Sequence, residues 1–414
     1  MVEHTQRTLM LSLHGYVGAD VELGKPDTGG QVVFVLELAR KFAEMGQAVD
    51  VVTRQFEGQP EIDDLGDGAR IVRIPFGGDD FIRKEDMHDH LEEFVGRFLA
   101  GNAQGYEVVS SHYWDAGWAG QRIAEELGIP HVHTPHSLGT WKKADMKGDT
   151  QQIDSDYRFE ERIRKEFLTY RQADMIIATS PQQVEQLEAD YEVPRRHVTM
   201  IPPGVDEDRY TPVSAEEVAI ARRRLGIRKH DVYTIGRAAA NKGYDLLIRA
   251  VSHLVELVPD ARLQLAVGAD STTDRRKVEK WKVLSEELGV ADRIVWRGYV
   301  PDEDMADLYR AAGVFALPSR YEPFGMTAIE AMACGTPTVV TVHGGLEEMT
   351  DFGTQALFAD PHRPEEFAVM LSMPMRYERL RERLSVDGAR YARRHFGWRS
   401  IARRTARVMR DARG

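Results

Sequence analysis

A single cysteine, Cys334, excludes an internal disulfide and any thiolate metal cluster, and sets a reducing compartment as the expectation. No apolar run approaches 18 residues, and the opening "MVEHTQRTLMLSLHG" lacks a charged segment followed by an apolar core. A cytoplasmic protein with no membrane partner is therefore expected. Excess positive charge is missing as well: 54 Lys and Arg stand against 66 Asp and Glu, a formal charge of −12, which argues against a nucleic-acid partner.

What is present is a repeated alternation. A chain of 414 residues exceeds one comfortable hydrophobic core, so two domains of about 200 residues each are expected. Short β-branched runs alternate with longer stretches of helical period, the mark of parallel strands joined by crossover helices and hence of an α/β fold. The first half supplies "TLMLSLHG", "AVDVVTR", "RIVRIP", "VVSSHY", "PHVHTPH" and "MIIATS". The second supplies "VYTIGR", "LQLAVG", "RIVWRGYV", "GVFALPS", "TPTVVTVHGG" and "ALFAD". Between them Pro202 and Pro203 favour an extended link. The last stretch carries many arginines on a helical period; it reads as the solvated face of a terminal helix packed by Phe396, Trp398, Ile401 and Val408, with a membrane-surface or anionic-partner helix as the alternative.

In doubly wound domains ligands bind outside the carboxyl ends of the strands, so strand-end residues are the candidates. Gly29 and Gly30 lie between a strand and a helix, where the backbone can approach an anion, and Asp27 and Thr28 are candidate caps of that helix. Arg237 and Lys242 at a strand end, read as having no nearby acid to neutralise them, suit a diphosphate; a solvated surface pair is the competing account. Glu322 and Glu330 flank the start of another helix. Amides around Phe324, Gly325, Met326 and Thr327 favour a phosphate there, while Glu330 can accept from ribose hydroxyls and Glu322 from a sugar. Tyr113, His136, Ser137, Lys142 and Arg162 gather cations and hydroxyls for a second phosphate. His131 and His133 alternate in an apolar strand with no carboxylate beside them, which favours core or polar-contact roles over metal ligation.

Taken in order, "DTGGQ", "HYWDAG", "HSLG", "GR…NKGYDLL" and "SRYEPFGMTAIEAMACGTPTVVTVHGG" resemble the retaining nucleotide-sugar glycosyltransferases of family 4, and within it the sucrose-phosphate synthase group, over nearly the whole chain. The resemblance implies the GT-B fold, two Rossmann-like domains facing a central cleft. Residues 1–203 would bind the acceptor, 204–385 the nucleotide sugar, and 386–414 would cross back as a helical segment to the first domain.

The resemblance also implies roles. Arg237 and Lys242 would grip the donor diphosphate, Glu322 the sugar hydroxyls and Glu330 the ribose, with Gly29, Gly30 and the Phe324 to Thr327 amides at the donor. His136 would contact the donor sugar, so that His136, Arg237, Lys242 and Glu322 form the catalytic set. Gln31, Lys84, Tyr113, Ser137, Lys142 and Arg162 would hold fructose 6-phosphate. "GRAAANKG" leans toward a mannosyl branch, with GDP-mannose giving mannosylfructose phosphate and GDP; UDP-glucose giving sucrose phosphate is the alternative. A sugar-nucleotide sensor or a phosphorylase of the same fold stays open as a reading of another class. No cofactor or metal is expected to be required, Mg2+ stimulation being left open, and a separate sugar-phosphate phosphatase is a candidate partner.

Overall fold

The computed structural model describes residues 7–20, 25–103, 105–145, 150–269, 271–322 and 324–413. The chain divides into two compact units, 1–203 with 398–414, and 204–397.

The first unit is built on β1 (Arg7–Leu11), β2 (Ala48–Gln55), β3 (Ile62–Gly66), β4 (Ala69–Pro75), β5 (Tyr106–His112), β6 (His131–Thr134), β7 (Met175–Ala178) and β8 (Val198–Met200). They form one sheet in the order β3-β4-β2-β1-β5-β6-β7-β8. All pairs are parallel except the hairpin β3–β4. Its turn passes through Asp67 and Gly68, both at positive φ, as a tight hairpin demands. The central strands are buried along their length because helices cover both faces, which explains their continuous apolar runs.

The second unit is built on β9 (Asp231–Arg237), β10 (Arg262–Gly268), β11 (Ile294–Trp296), β12 (Val314–Leu317), β13 (Thr338–Thr341) and β14 (Leu357–Ala359), in the order β11-β10-β9-β12-β13-β14, all parallel. The order reverses between β9 and β12, the position at which such sheets bind ligands.

The expected boundary at residue 386 is displaced. Helix Glu378–Phe396 belongs to the second unit, where Phe396 packs edge-on against Phe324. The chain returns at Gly397, and only helix Trp398–Asp411 joins the first unit. There Trp398, Ile401, Ala402 and Met409 enter the core with Val35 and Leu38, and Phe34 meets the Trp398 ring edge-on. No helix among the described residues is long and apolar enough to cross a membrane.

Candidate active site

In the first unit the polar residues converge at the carboxyl ends of β1, β5 and β6. Tyr113 follows β5 directly and starts helix Trp114–Leu127 with φ at +77°, a turn that keeps its ring buried. Its hydroxyl accepts from Lys142 Nζ at 3.0 Å and from Arg162 Nη1 at 3.1 Å. Burial alone would raise its pKa; the charges of Arg162 and Lys142 outweigh burial and bring it down to about 8. Arg162 donates further to the Ser137 carbonyl at 3.0 Å and to the Ser137 hydroxyl at 3.1 Å. Behind it Glu166, fully buried, accepts from Arg162 Nε at 2.7 Å and holds the guanidinium charged against desolvation.

Of these groups Lys142 and Arg162 line a cavity of about 300 Å³, together with Lys84, Glu85, Trp114 and Trp141 among others. Aromatic walls with three cations are the make-up expected for a sugar phosphate. Lys84 reaches the cavity already engaged, by Asp27 at 2.6 Å and Glu85 at 2.8 Å. Asp27 is thus not the cap of helix Gly30–Glu44; its carboxylate also accepts from the Lys84 amide. Thr28 does not cap it either, since its hydroxyl accepts from the Tyr16 amide. Gly29 stands at the N-cap position with no side-chain cap, and a Cβ on Gly29 or Gly30 would meet open space. Small residues here leave room in front of the first helical residues; the Val32 amide already donates to the Gly29 carbonyl at 3.0 Å, so the amides of Gly30 and Gln31 are the ones placed to meet an anion.

His136, at φ +58°, shares a hydrogen bond of 3.0 Å between its Nε2 and His112 Nδ1. Burial holds both imidazoles well below the usual histidine pKa, so the pair is neutral and polar rather than cationic. Gln31 donates to the Ser12 hydroxyl at 3.2 Å. His131 and His133 share the Ser111 hydroxyl and are buried, in keeping with a contact role. Sequence reasoning missed the buried pair His14–Asp115, joined at 2.9 Å, in which burial lowers the His14 pKa but the Asp115 carboxylate raises it further. His14 lies edge-on to Tyr113 at 4.6 Å. Asp115 stands in "HYWDAG", yet its partner is 101 residues away, so no local pattern announces the pair.

In the second unit Arg237 ends β9, exposed, and Lys242 lies in the turn Ala240–Lys242. Gly243 closes that turn at φ +67°; a Cβ there would come within 2.0 Å of the Pro318 carbonyl oxygen, so only glycine fits. The expectation that both cations are free of acids fails for Lys242. Its Nζ lies 2.7 Å from the Glu322 carboxylate, which also accepts from the Ser319 hydroxyl at 3.0 Å. The backbone of Glu322 is fixed too, its amide donating to the His343 carbonyl at 3.0 Å.

Beyond Glu322, and past Pro323, which lies outside the described residues, Gly325 at φ +89° opens helix Met326–Ala333. Phe324 turns its ring into the core, so what it offers a ligand is backbone. The first-turn amides of Met326 and Thr327 are the ones a helix leaves unpaired. Glu330, about one turn into that helix, accepts from the buried Tyr309 hydroxyl at 2.7 Å. Burial raises its pKa from 4.5 to about 7, against the opposing effect of that hydrogen bond.

Each unit thus presents strand-end cations and hydroxyls of the kind that handle phosphorylated sugars, and together they define an α/β enzyme of nucleotide-sugar chemistry. Residues 28–209 match the family described as Glycosyltransferase Family 4, and residues 219–390 match Glycosyl transferases group 1. The chain is 50% identical over 409 residues to mannosylfructose-phosphate synthase of Agrobacterium fabrum, covering 97% of this chain and 90% of that protein. It is 34% identical to D-inositol 3-phosphate glycosyltransferase of Thermobifida fusca, covering 94% and 90%. Among solved structures it resembles sucrose-phosphate synthase from Thermosynechococcus elongatus with a TM-score of 0.78 and 30% identity, covering 98% of both chains. The protein belongs to the family 4 glycosyltransferases of GT-B fold.

Proposed function

We propose that the protein is a retaining hexosyltransferase that moves mannose from GDP-mannose to fructose 6-phosphate, yielding mannosylfructose phosphate and GDP. The observation that carries the acceptor is the cluster of Arg162, Lys142, Tyr113 and Ser137 at the edge of the 300 Å³ cavity. Its cations suit the 6-phosphate and its aromatic walls the sugar. The mannosyl donor rests on the 50% identity to mannosylfructose-phosphate synthase. The structural likeness to a sucrose-phosphate synthase favours UDP-glucose as the second reading, with the same acceptor.

In this reading Arg237 and Lys242 bind the departing diphosphate, Glu322 orients the sugar, and Glu330 takes the ribose. Gly29, Gly30 and the amides from Phe324 to Thr327 receive phosphate oxygens. His136 acts as a neutral polar contact to the hexose, and Gln31 and Lys84 complete the acceptor contacts. Asp302 and Asp304 form ion pairs with Arg209 and Arg224, and this reading assigns them no metal. The activity is cytoplasmic, and a separate phosphatase removes the product's phosphate.

The test is nucleoside diphosphate release from GDP-mannose and from UDP-glucose, each with and without fructose 6-phosphate. GDP release that depends on the acceptor is the expected result. UDP release instead would make the protein a sucrose-phosphate synthase, and silence with both donors would reject the pairing.

Two variants probe the half-sites. Lys142→Ala will raise KM for the phosphorylated acceptor by about tenfold or more, the worth of a charged hydrogen bond, with little change in KM for the donor. Equal effects on both substrates would remove Lys142 from the acceptor site. Glu330 gives a pH signature. Ribose hydroxyls donate best to an ionised carboxylate, and Glu330 holds its proton up to about 7. GDP affinity will therefore weaken by up to about tenfold per pH unit below that value, and binding there will release a proton. Glu330→Gln will flatten the profile, as calorimetry in two buffers of different ionisation enthalpy will show.

A further inference from the structure

His343, Asp360 and His362 lie apart in the sequence, yet their ligand atoms gather within 4.8 Å of one another in the second unit. His343 follows β13, and Asp360 and His362 follow β14, so parallel pairing of these strands fixes their ends side by side. His343 Nε2 and His362 Nδ1 each lie 3.0 Å from Asp360 Oδ1. The His362 amide donates to the same oxygen at 2.9 Å. Three donors crowd one carboxylate oxygen, and both imidazoles aim a nitrogen at it.

From this convergence we propose a binding site for a divalent transition-metal ion of the zinc type, held by His343 Nε2, His362 Nδ1 and an Asp360 carboxylate oxygen. Ligands about 2.0–2.1 Å from a tetrahedral ion lie about 3.3 Å from one another; the two nitrogen–oxygen separations of 3.0 Å need a small expansion, and the two nitrogens, within 4.8 Å of each other, adjust by ring rotation. Two imidazoles and one carboxylate match the preferences of Zn2+ or Co2+, whereas Mg2+ takes oxygen ligands in octahedral geometry. Three protein ligands leave a fourth position for water. All three side chains keep solvent contact, so an ion has a route in.

The site is distinct from the groups assigned to the donor, but it touches them through the backbone. The His343 carbonyl accepts from the Glu322 amide, and the Glu322 carbonyl in turn accepts from the Gly345 amide at 3.3 Å. An ion on the His343 ring therefore braces the segment against which Glu322 is registered. The proposal does not depend on the choice of donor or acceptor.

The experiment is calorimetric titration of the chelator-treated full chain with Zn2+ alone, in the absence of nucleotide. One equivalent is expected to bind, Mg2+ at the same concentration is expected to give no heat at this site, and Co2+ is expected to produce the visible absorption of a tetrahedral complex. His343→Ala and His362→Ala will each weaken Zn2+ binding by at least about tenfold. These side chains are 39% and 49% exposed, so both variants will fold, and an unchanged melting temperature without metal will confirm it. Absence of Zn2+ binding by the wild-type chain, or wild-type affinity in either variant, would overturn the site.

Discussion

Lys242→Ala will lower turnover by about 10²–10³-fold while moving thermal stability little. The large effect follows from where the charge sits. As the sugar leaves, negative charge accumulates on the diphosphate, and a cation already fixed beside it stabilises that charge with no reorganisation. Glycine at 243 sets the turn that holds Lys242, and Glu322 fixes the ammonium at 2.7 Å. The small stability effect follows from the same contact, because an ion pair whose side chains still keep 26% and 14% of their surface in solvent contributes on the order of 1 kcal/mol.

The partner variant separates the two roles. Glu322, 2.7 Å from the Lys242 ammonium, competes with any phosphate for it. Glu322→Ala will therefore reduce turnover, since the sugar loses its acceptor of hydroxyl hydrogen bonds, yet leave GDP affinity intact or improved. Lys242→Ala will weaken GDP binding by about tenfold, the loss of a charged contact. Measured by calorimetry, the two substitutions should thus part company on GDP while agreeing on kcat. Loss of GDP affinity in Glu322→Ala would place Glu322 at the diphosphate rather than the sugar.

That ion pair also shows what the sequence could convey. Of the fourteen strands among the described residues twelve are legible: burial on both faces imposes continuous hydrophobicity on the central ones, while β4 shows as an alternation of buried and exposed residues. The hairpin strand Ile62–Gly66 is not, being short and exposed at alternate residues; only the Asp67-Gly68 turn marks it. Strand Val198–Met200 has three residues and merges with the proline link. The return of the chain at Gly397 is masked by arginines on both sides, and what separates the two helices is which core takes each apolar face: Phe396 goes to one unit and Trp398 to the other. Placement within one motif is legible from local spacing, as with Glu322 ahead of helix Met326–Ala333 and Glu330 inside it. Pairings across the chain are not: Lys242 and Glu322 stand 80 residues apart, and Asp27 and Lys84 stand 57 apart. The expectation of two free cations at the donor failed for that reason.

Arg162 is the residue where this matters most, because its two possible jobs predict different rescues. It is buried, its Nε bound to Glu166 and its remaining nitrogens turned to Tyr113 and Ser137. Arg162→Met leaves Glu166 as a buried carboxylate facing the Tyr191 hydroxyl and the Gly139 amide but no cation to balance its charge. Breaking a buried pair in this way costs about 3–5 kcal/mol, or about 6–20 °C in the melting of a unit this size. Replacing Glu166 as well, in Arg162→Met/Glu166→Gln, removes the stranded charge and will recover most of that stability. It will not recover the acceptor site, since no guanidinium remains to meet the phosphate, and KM for fructose 6-phosphate will stay at least about tenfold above wild type. Tyr113 will report the same event independently: without the Arg162 charge its hydroxyl pKa will rise from about 8, as ultraviolet titration can follow. If the double variant regains both stability and acceptor affinity, Arg162 serves only to pack Glu166, and the phosphate must be held by Lys142 and Lys84.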